Sequence, residues 1–109
     1  MNWFRKGADG KFVWPGFGEN MRVLSWMVGR IEGVTQGEEH AFGFSPHYED
    51  IEWCGLDFTK EQFETVISVD DAAWRAELAL HAELFDTLQQ NLPPALRETK
   101  TALEERLSA

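Results

Sequence analysis

Five aromatic residues, Trp3, Phe4, Phe12, Trp14 and Phe17, crowd the stretch NWFRKGADGKFVWPGFGEN at residues 2–20. Their spacing fits neither a long helix nor one amphipathic strand, which places them on loops and a strand edge. Gly16 and Gly18 flank Phe17 and let the backbone come close to a ligand. Glu19 and Asn20 then open a helix, whose first N–H groups lack intrahelical partners and point at whatever sits in front. Two aromatic faces beside an amide make a sensible receptor for a purine. Stacking contributes roughly 1–3 kcal/mol per base, and an Asn side chain with backbone groups can read the hydrogen-bonding edge. A guanine-shaped edge left unpaired by adenine would cost about 1–3 kcal/mol per buried group. The plainer alternative is an aromatic core wrapped by a Gly-rich turn, because aromatic clusters are mostly core.

The other chemistry-bearing residues are weaker candidates. His40, His47 and His81 are not at metal-ligand spacing, although His47, Glu49 and Asp50 could in principle share an ion. His81 lies on a helix stripe and reads as a packing residue. Cys54, the single cysteine, has no nearby base and reads as an inert small side chain rather than a nucleophile. The sequence has no GxxxxGK[ST] phosphate loop. No catalytic residue and no metal ligand is assigned.

The elements that must position residues 2–20 follow from local pattern. Asn2–Lys6 reads as a short strand, Gly7–Gly10 as a turn, and Lys11–Trp14 as extended, with Pro15 keeping Trp14 out of the helical region. A helix over residues 19–33 carries Leu24, Met27, Val28 and Ile31 at i, i+3, i+4 and i+7, a single apolar stripe ended by Gly33. Val34–Glu39 reads as loop, and Ala41–Phe44 and Ile51–Trp53 as short strands or extended segments. Residues 59–109 are helical. Thr59 and Gln62 form a capping box, and Asp70 with Asp71 open a longer helix to about Gln90. Its face carries Trp74, Leu78, His81, Phe85 and Leu88. Pro93 and Pro94 start the last helix, with Leu96, Leu103 and Leu107 on its buried side. The expected fold is mainly α with short strands and extended loops at the N-terminal end (α+β), one unit over residues 1–109 with no linker.

Charge narrows the partners. Residues 1–33 carry five Lys/Arg against three acids, whereas residues 34–109 carry five against sixteen. An acidic body disfavours nucleic acid, and a small anion would prefer the N-terminal third. No apolar run approaches the ~20 residues of a membrane span. The first residues lack the order of a secretion signal, and a lone cysteine fits a reducing compartment, so the expected location is the cytoplasm.

NWFRK, KFVWPGFGEN and RVLSWMVGRIEG together resemble GTP-dependent phosphoenolpyruvate carboxykinases, most of all the bacterial members. The similarity continues more weakly through GFSP, YEDIEWCGL, DDAAWRAEL and LPPALRETKTALEERL, covering essentially the whole chain, with departures at Met21 and Ser25. The resemblance implies the C-terminal piece of that enzyme's mixed α/β fold, with residues 1–20 as its base-binding loops. Phe4 and Phe17 would then sandwich the guanine of GTP or GDP, and Phe12 would pack near its edge. Asn20 would hydrogen-bond the base, Gly18 and Glu19 would line the site through backbone, and Trp14 would support it. The family converts oxaloacetate and GTP to phosphoenolpyruvate, GDP and carbon dioxide in gluconeogenesis. Its phosphate loop and its Mn2+ or Mg2+ would lie outside these residues, so the segment alone would be inactive. Implied partners are a guanine nucleotide, the remainder of the carboxykinase chain and, weakly, further copies of the segment. The alternative is a stand-alone helical interaction module with an aromatic surface.

Overall fold

Four α-helices, three short 3-10 turns and one two-stranded sheet make up the computed structural model, which describes residues 2–108. The order is α1 (Asn20–Glu32), β1 (Glu38–His40), β2 (Gly43–Ser45), α2 (Lys60–Ile67), α3 (Asp71–Leu88) and α4 (Pro94–Ser108). The strands pair antiparallel, Glu38 with Ser45 and His40 with Gly43. The architecture is the mainly helical one, with short strands, that the sequence predicts. No helix among the described residues is long and apolar enough to cross a membrane. The chain divides into two compact units, Met1–Ser68 and Val69–Ala109.

In the first unit the predicted N-terminal strands shrink to a single antiparallel bridge, Lys6 to Phe12. The Val13 N–H donates to the Arg5 carbonyl at 2.8 Å, and the Gly7 N–H to the Lys11 carbonyl at 2.9 Å. The Asp9 carboxylate accepts from the Lys11 N–H inside the turn, the local contact that makes Asp a turn residue. The core holds Trp14, Val23, Trp26, Ile51, Phe58, Phe63 and Val66. Trp53 stacks between Tyr48, 5.1 Å away, and Phe58, 5.2 Å away, and Trp14 meets Phe58 edge-on at 5.5 Å.

The face that α1 buries differs from the predicted stripe. Val23 and Trp26 enter the core, whereas Leu24, Met27, Val28 and Ile31 are exposed. Both sets have helical spacing, and Trp26 decides between them. Its large ring packs inward and its indole N–H donates to the Gln36 carbonyl at 3.1 Å, satisfying the polar handle that a buried Trp brings. Gly29 lies on the same face, where a β-carbon would meet the Thr35 side chain at 2.9 Å. The following loop therefore folds directly onto the helix.

The loop predicted over Val34–Glu39 ends in β1, and the segment Ala41–Phe44, predicted as a short strand or extended, turns at Ala41 and Phe42 and enters β2 at Gly43. Ile51–Trp53 is not a strand. Ile51 is buried, and the Trp53 indole donates back to the Tyr48 carbonyl at 2.8 Å, which curls the chain. The capping box of α2 forms in both directions: Gln62 N–H to Thr59 Oγ1 at 3.2 Å, and Thr59 N–H to Gln62 Oε1 at 2.8 Å.

The second unit is the helical hairpin α3–α4. Asp70 caps α3 by accepting from the Ala73 N–H at 3.0 Å. Leu78, Leu92 and Leu107 are buried, and Trp74, His81, Phe85 and Leu103 are partly so. Leu88 and Leu96, predicted to be buried, are exposed. Leu92, in the connection, fills the hairpin end instead. Arg75 donates to the Leu107 carbonyl at 2.8 Å, fastening the end of α4 to α3.

Candidate functional site

The first unit sorts the five N-terminal aromatics by type. Trp3 and Trp14 pack inward, with ring centroids 5.5 Å apart. Phe4, Phe12 and Phe17 stay 71%, 58% and 90% exposed. Burying a Phe stabilises a fold by roughly 1.5–3 kcal/mol, so three Phe held outside a core rich in other aromatics need another reason. The aromatic-core alternative thus accounts for the two Trp and not for the three Phe.

The short hairpin places two of those rings together. Phe4 and Phe12 meet edge-on at 5.8 Å with 66° between their planes. The Phe4 N–H is held by the Asn2 side chain. The Lys6 ammonium sits 5.8 Å from the Phe12 centroid, which puts positive charge beside the rings. Phe17 stands on a separate loop. That loop depends on Gly16, whose φ of 129° lies in a region other residues avoid.

From Gly16 the chain makes one 3-10 turn, Phe17–Glu19, and passes into α1. The turn uses two of the N–H groups that the sequence left open. Glu19 N–H donates to the Gly16 carbonyl at 3.1 Å, and Asn20 N–H to the Phe17 carbonyl. The picture of a fully open helix start is corrected accordingly. The Asn20 side chain accepts from the Trp14 indole N–H at 2.8 Å. Gly18 is exposed, and Glu19 and Asn20 are half-buried. The structure thus joins Phe4 with Phe12, Trp14 with Asn20, and Phe17 with Asn20 through one turn of backbone.

Arg22 is the residue that sequence reasoning counted only as charge. Its Nε donates to Glu19 at 2.6 Å, and its two terminal nitrogens donate to the Glu52 and Cys54 carbonyls at 2.6 and 3.0 Å. The fork ties the first turn of α1 to the 52–54 loop. The i, i+3 spacing of Glu19 and Arg22 was the available signal. Arg5 plays a similar part, donating to the Ser68 carbonyl.

The weaker candidates disperse. His47 caps a short turn with Asp50, while Glu49 faces Lys60 at 3.1 Å, so the three do not converge on an ion. A backbone N–H first, and then Lys60, hold the Glu49 carboxyl below its ordinary range. Glu49 in turn raises the Lys60 ammonium. His40, half-buried rather than solvated, accepts from the Phe42 N–H through Nδ1 and meets Ser45 Oγ at 2.6 Å through Nε2. His81 lies 3.3 Å from Glu77 on α3. Cys54 is exposed. Among the described residues there is no group of three or more His, Cys, Asp and Glu that could hold a metal ion.

Comparison with known proteins bears on the whole chain. The family described as phosphoenolpyruvate carboxykinase C-terminal P-loop domain matches residues 1–106. The phosphoenolpyruvate carboxykinase (GTP) of Corynebacterium jeikeium is 41% identical over 109 residues, 100% of this chain and 18% of that protein. Those of Paenarthrobacter aurescens and an Arthrobacter species are each 44% identical, over 107 and 108 residues, again 18% of their length. The chain therefore spans about a fifth of the curated relatives it matches.

Proposed function

The chain belongs to the GTP-dependent phosphoenolpyruvate carboxykinase family, whose C-terminal domain it matches, and we propose that it supplies the surface on which such an enzyme holds the guanine base. The observation that supports this most is the outward placement of Phe4, Phe12 and Phe17 while Trp3 and Trp14 pack inward. In this reading Phe4 and Phe17 take the two faces of the base and Phe12 its edge. Asn20 hydrogen-bonds the base, Gly18 and Glu19 line it through backbone, and Trp14 supports them. Stacking contributes roughly 1–3 kcal/mol per base, and Lys6 beside Phe12 suits an anionic nucleotide.

The complete enzyme would convert oxaloacetate and GTP to phosphoenolpyruvate, GDP and carbon dioxide, a lyase step of gluconeogenesis. We place it in the cytoplasm, where Cys54 would remain reduced. Phosphate binding and the Mn2+ or Mg2+ ion would fall to residues outside this segment, so the 109 residues bind the base without turnover. A titration with GTP and with ATP, followed by Trp fluorescence, tests the reading. Guanine-selective quenching that is lost in Phe17→Ala is the expected result; an equal response to both nucleotides overturns it.

The exposed stripe on α1 favours a second reading, a helical module that docks a protein partner. A stable homodimer that covers Phe4 and Phe17 and ignores nucleotides would favour that reading over the first.

A further inference from the structure

Trp14 is 3% exposed and is packed by Trp3, Trp53 and Phe58, so its indole N–H has a fixed place. An indole nitrogen can only donate. The atom of Asn20 that faces it at 2.8 Å must therefore be the amide oxygen, and the amino end is what Asn20 has left to offer. Among the described residues nothing accepts from that amino group.

An unrestrained Asn favours adenine, because its oxygen accepts from N6 while its amino group donates to N7. At the same edge guanine presents two acceptors, O6 and N7. We propose that Trp14 sets the base preference of this surface by holding the Asn20 oxygen toward the core, which turns it from the paired acceptor–donor mode that suits adenine and leaves the amino group, which suits guanine O6 and N7, as the end to offer. The proposal rests on the base-binding reading above and deepens it. Trp14 is then a positioning residue, acting on the base through Asn20 from inside the core.

Two substitutions test it. Trp14→Phe frees the oxygen. Asn20→Asp keeps an acceptor for the indole, suits a helix start, and replaces the amino group with a second acceptor that repels O6. Affinities for GTP and for ATP are measured for the unchanged chain and both variants. The indole N–H resonance of Trp14 is followed alongside. In each variant the GTP-to-ATP preference is expected to fall by about tenfold, with the Trp14 resonance still protected in Asn20→Asp. If Trp14→Phe fails to fold, Asn20→Asp decides alone. A GTP preference that survives in a folded Trp14→Phe variant, or in Asn20→Asp, overturns this inference and leaves base binding standing. An unchanged chain with no GTP preference overturns the base-binding reading, and this inference with it.

Discussion

Phe17 and Phe58 are the same residue type with opposite tasks. Phe17 is nearly all solvent, whereas Phe58 lies against Trp14 and Trp53 in the core. Phe17→Ala should therefore shift stability by less than about 0.5 kcal/mol, while Phe58→Ala should cost about 3–5 kcal/mol. Urea denaturation of the two variants checks both figures. The sequence showed that NWFRKGADGKFVWPGFGEN was unusual, and resemblance pointed to its Phe residues. It could not show that the Trp residues pack inward, because that depends on Phe58 and Trp53, which come some forty residues later. Likewise the use of the Asn20 oxygen follows from tertiary packing and has no sequence pattern.

The Glu49–Lys60 pair belongs to the same scale. Glu49 titrates below its ordinary value, so its contribution is present above the ordinary glutamate range and lost as pH falls through the lowered value. Lys60 titrates above its ordinary value, so its contribution holds below the ordinary lysine range and is lost as pH rises through the raised one. Both groups are exposed, which lets salt weaken the pair. In Lys60→Met, thermal unfolding followed from pH 3 to pH 11 should lose the alkaline step and keep a reduced acid step, since a backbone N–H also lowers Glu49.

Helix starts were the elements most legible in advance. Thr59 with Gln62 and Asp70 with Ala73 cap α2 and α3 as their spacing predicts, because a cap is satisfied within four residues. Helix faces were less so. On α1 two apolar faces compete, and the choice between Val23–Trp26 and Leu24–Ile31 depends on what Trp26 meets at Gln36. The loop that folds back onto this face also explains Gly29, to which no sequence pattern points. Gly29→Ala would press a methyl group into Thr35. It should therefore cost about 1–3 kcal/mol by crowding, despite the gain of roughly 0.8–1.0 kcal/mol in helix propensity. The double variant Gly29→Ala, Thr35→Ser should recover much of the loss in the same denaturation assay.

On the scale of the molecule, the two units differ in how much they bury. Among the described residues, the first holds seven buried hydrophobic residues in one cluster, and the second only Leu78, Leu92 and Leu107. Local opening needs least free energy where few apolar contacts are lost. Amides in the middle of α3 and α4 should accordingly exchange with deuterium before those around Trp26 and Phe63. The exposed Leu24, Met27, Val28 and Ile31 form a further apolar surface of the kind that marks an interface. Sedimentation should show concentration-dependent self-association that Met27→Glu reduces; sedimentation as a monomer at millimolar concentration would remove that expectation.

The pinned loop after Tyr48 has a practical consequence. Cys54 is the sole thiol in the sequence and is exposed. Its carbonyl is held by Arg22, two residues along α1 from Asn20. A maleimide dye or nitroxide should therefore attach at a single position without mutagenesis. Its spectrum would report on the first turn of α1, giving a test of the proposed nucleotide binding that leaves every ring at residues 2–20 untouched.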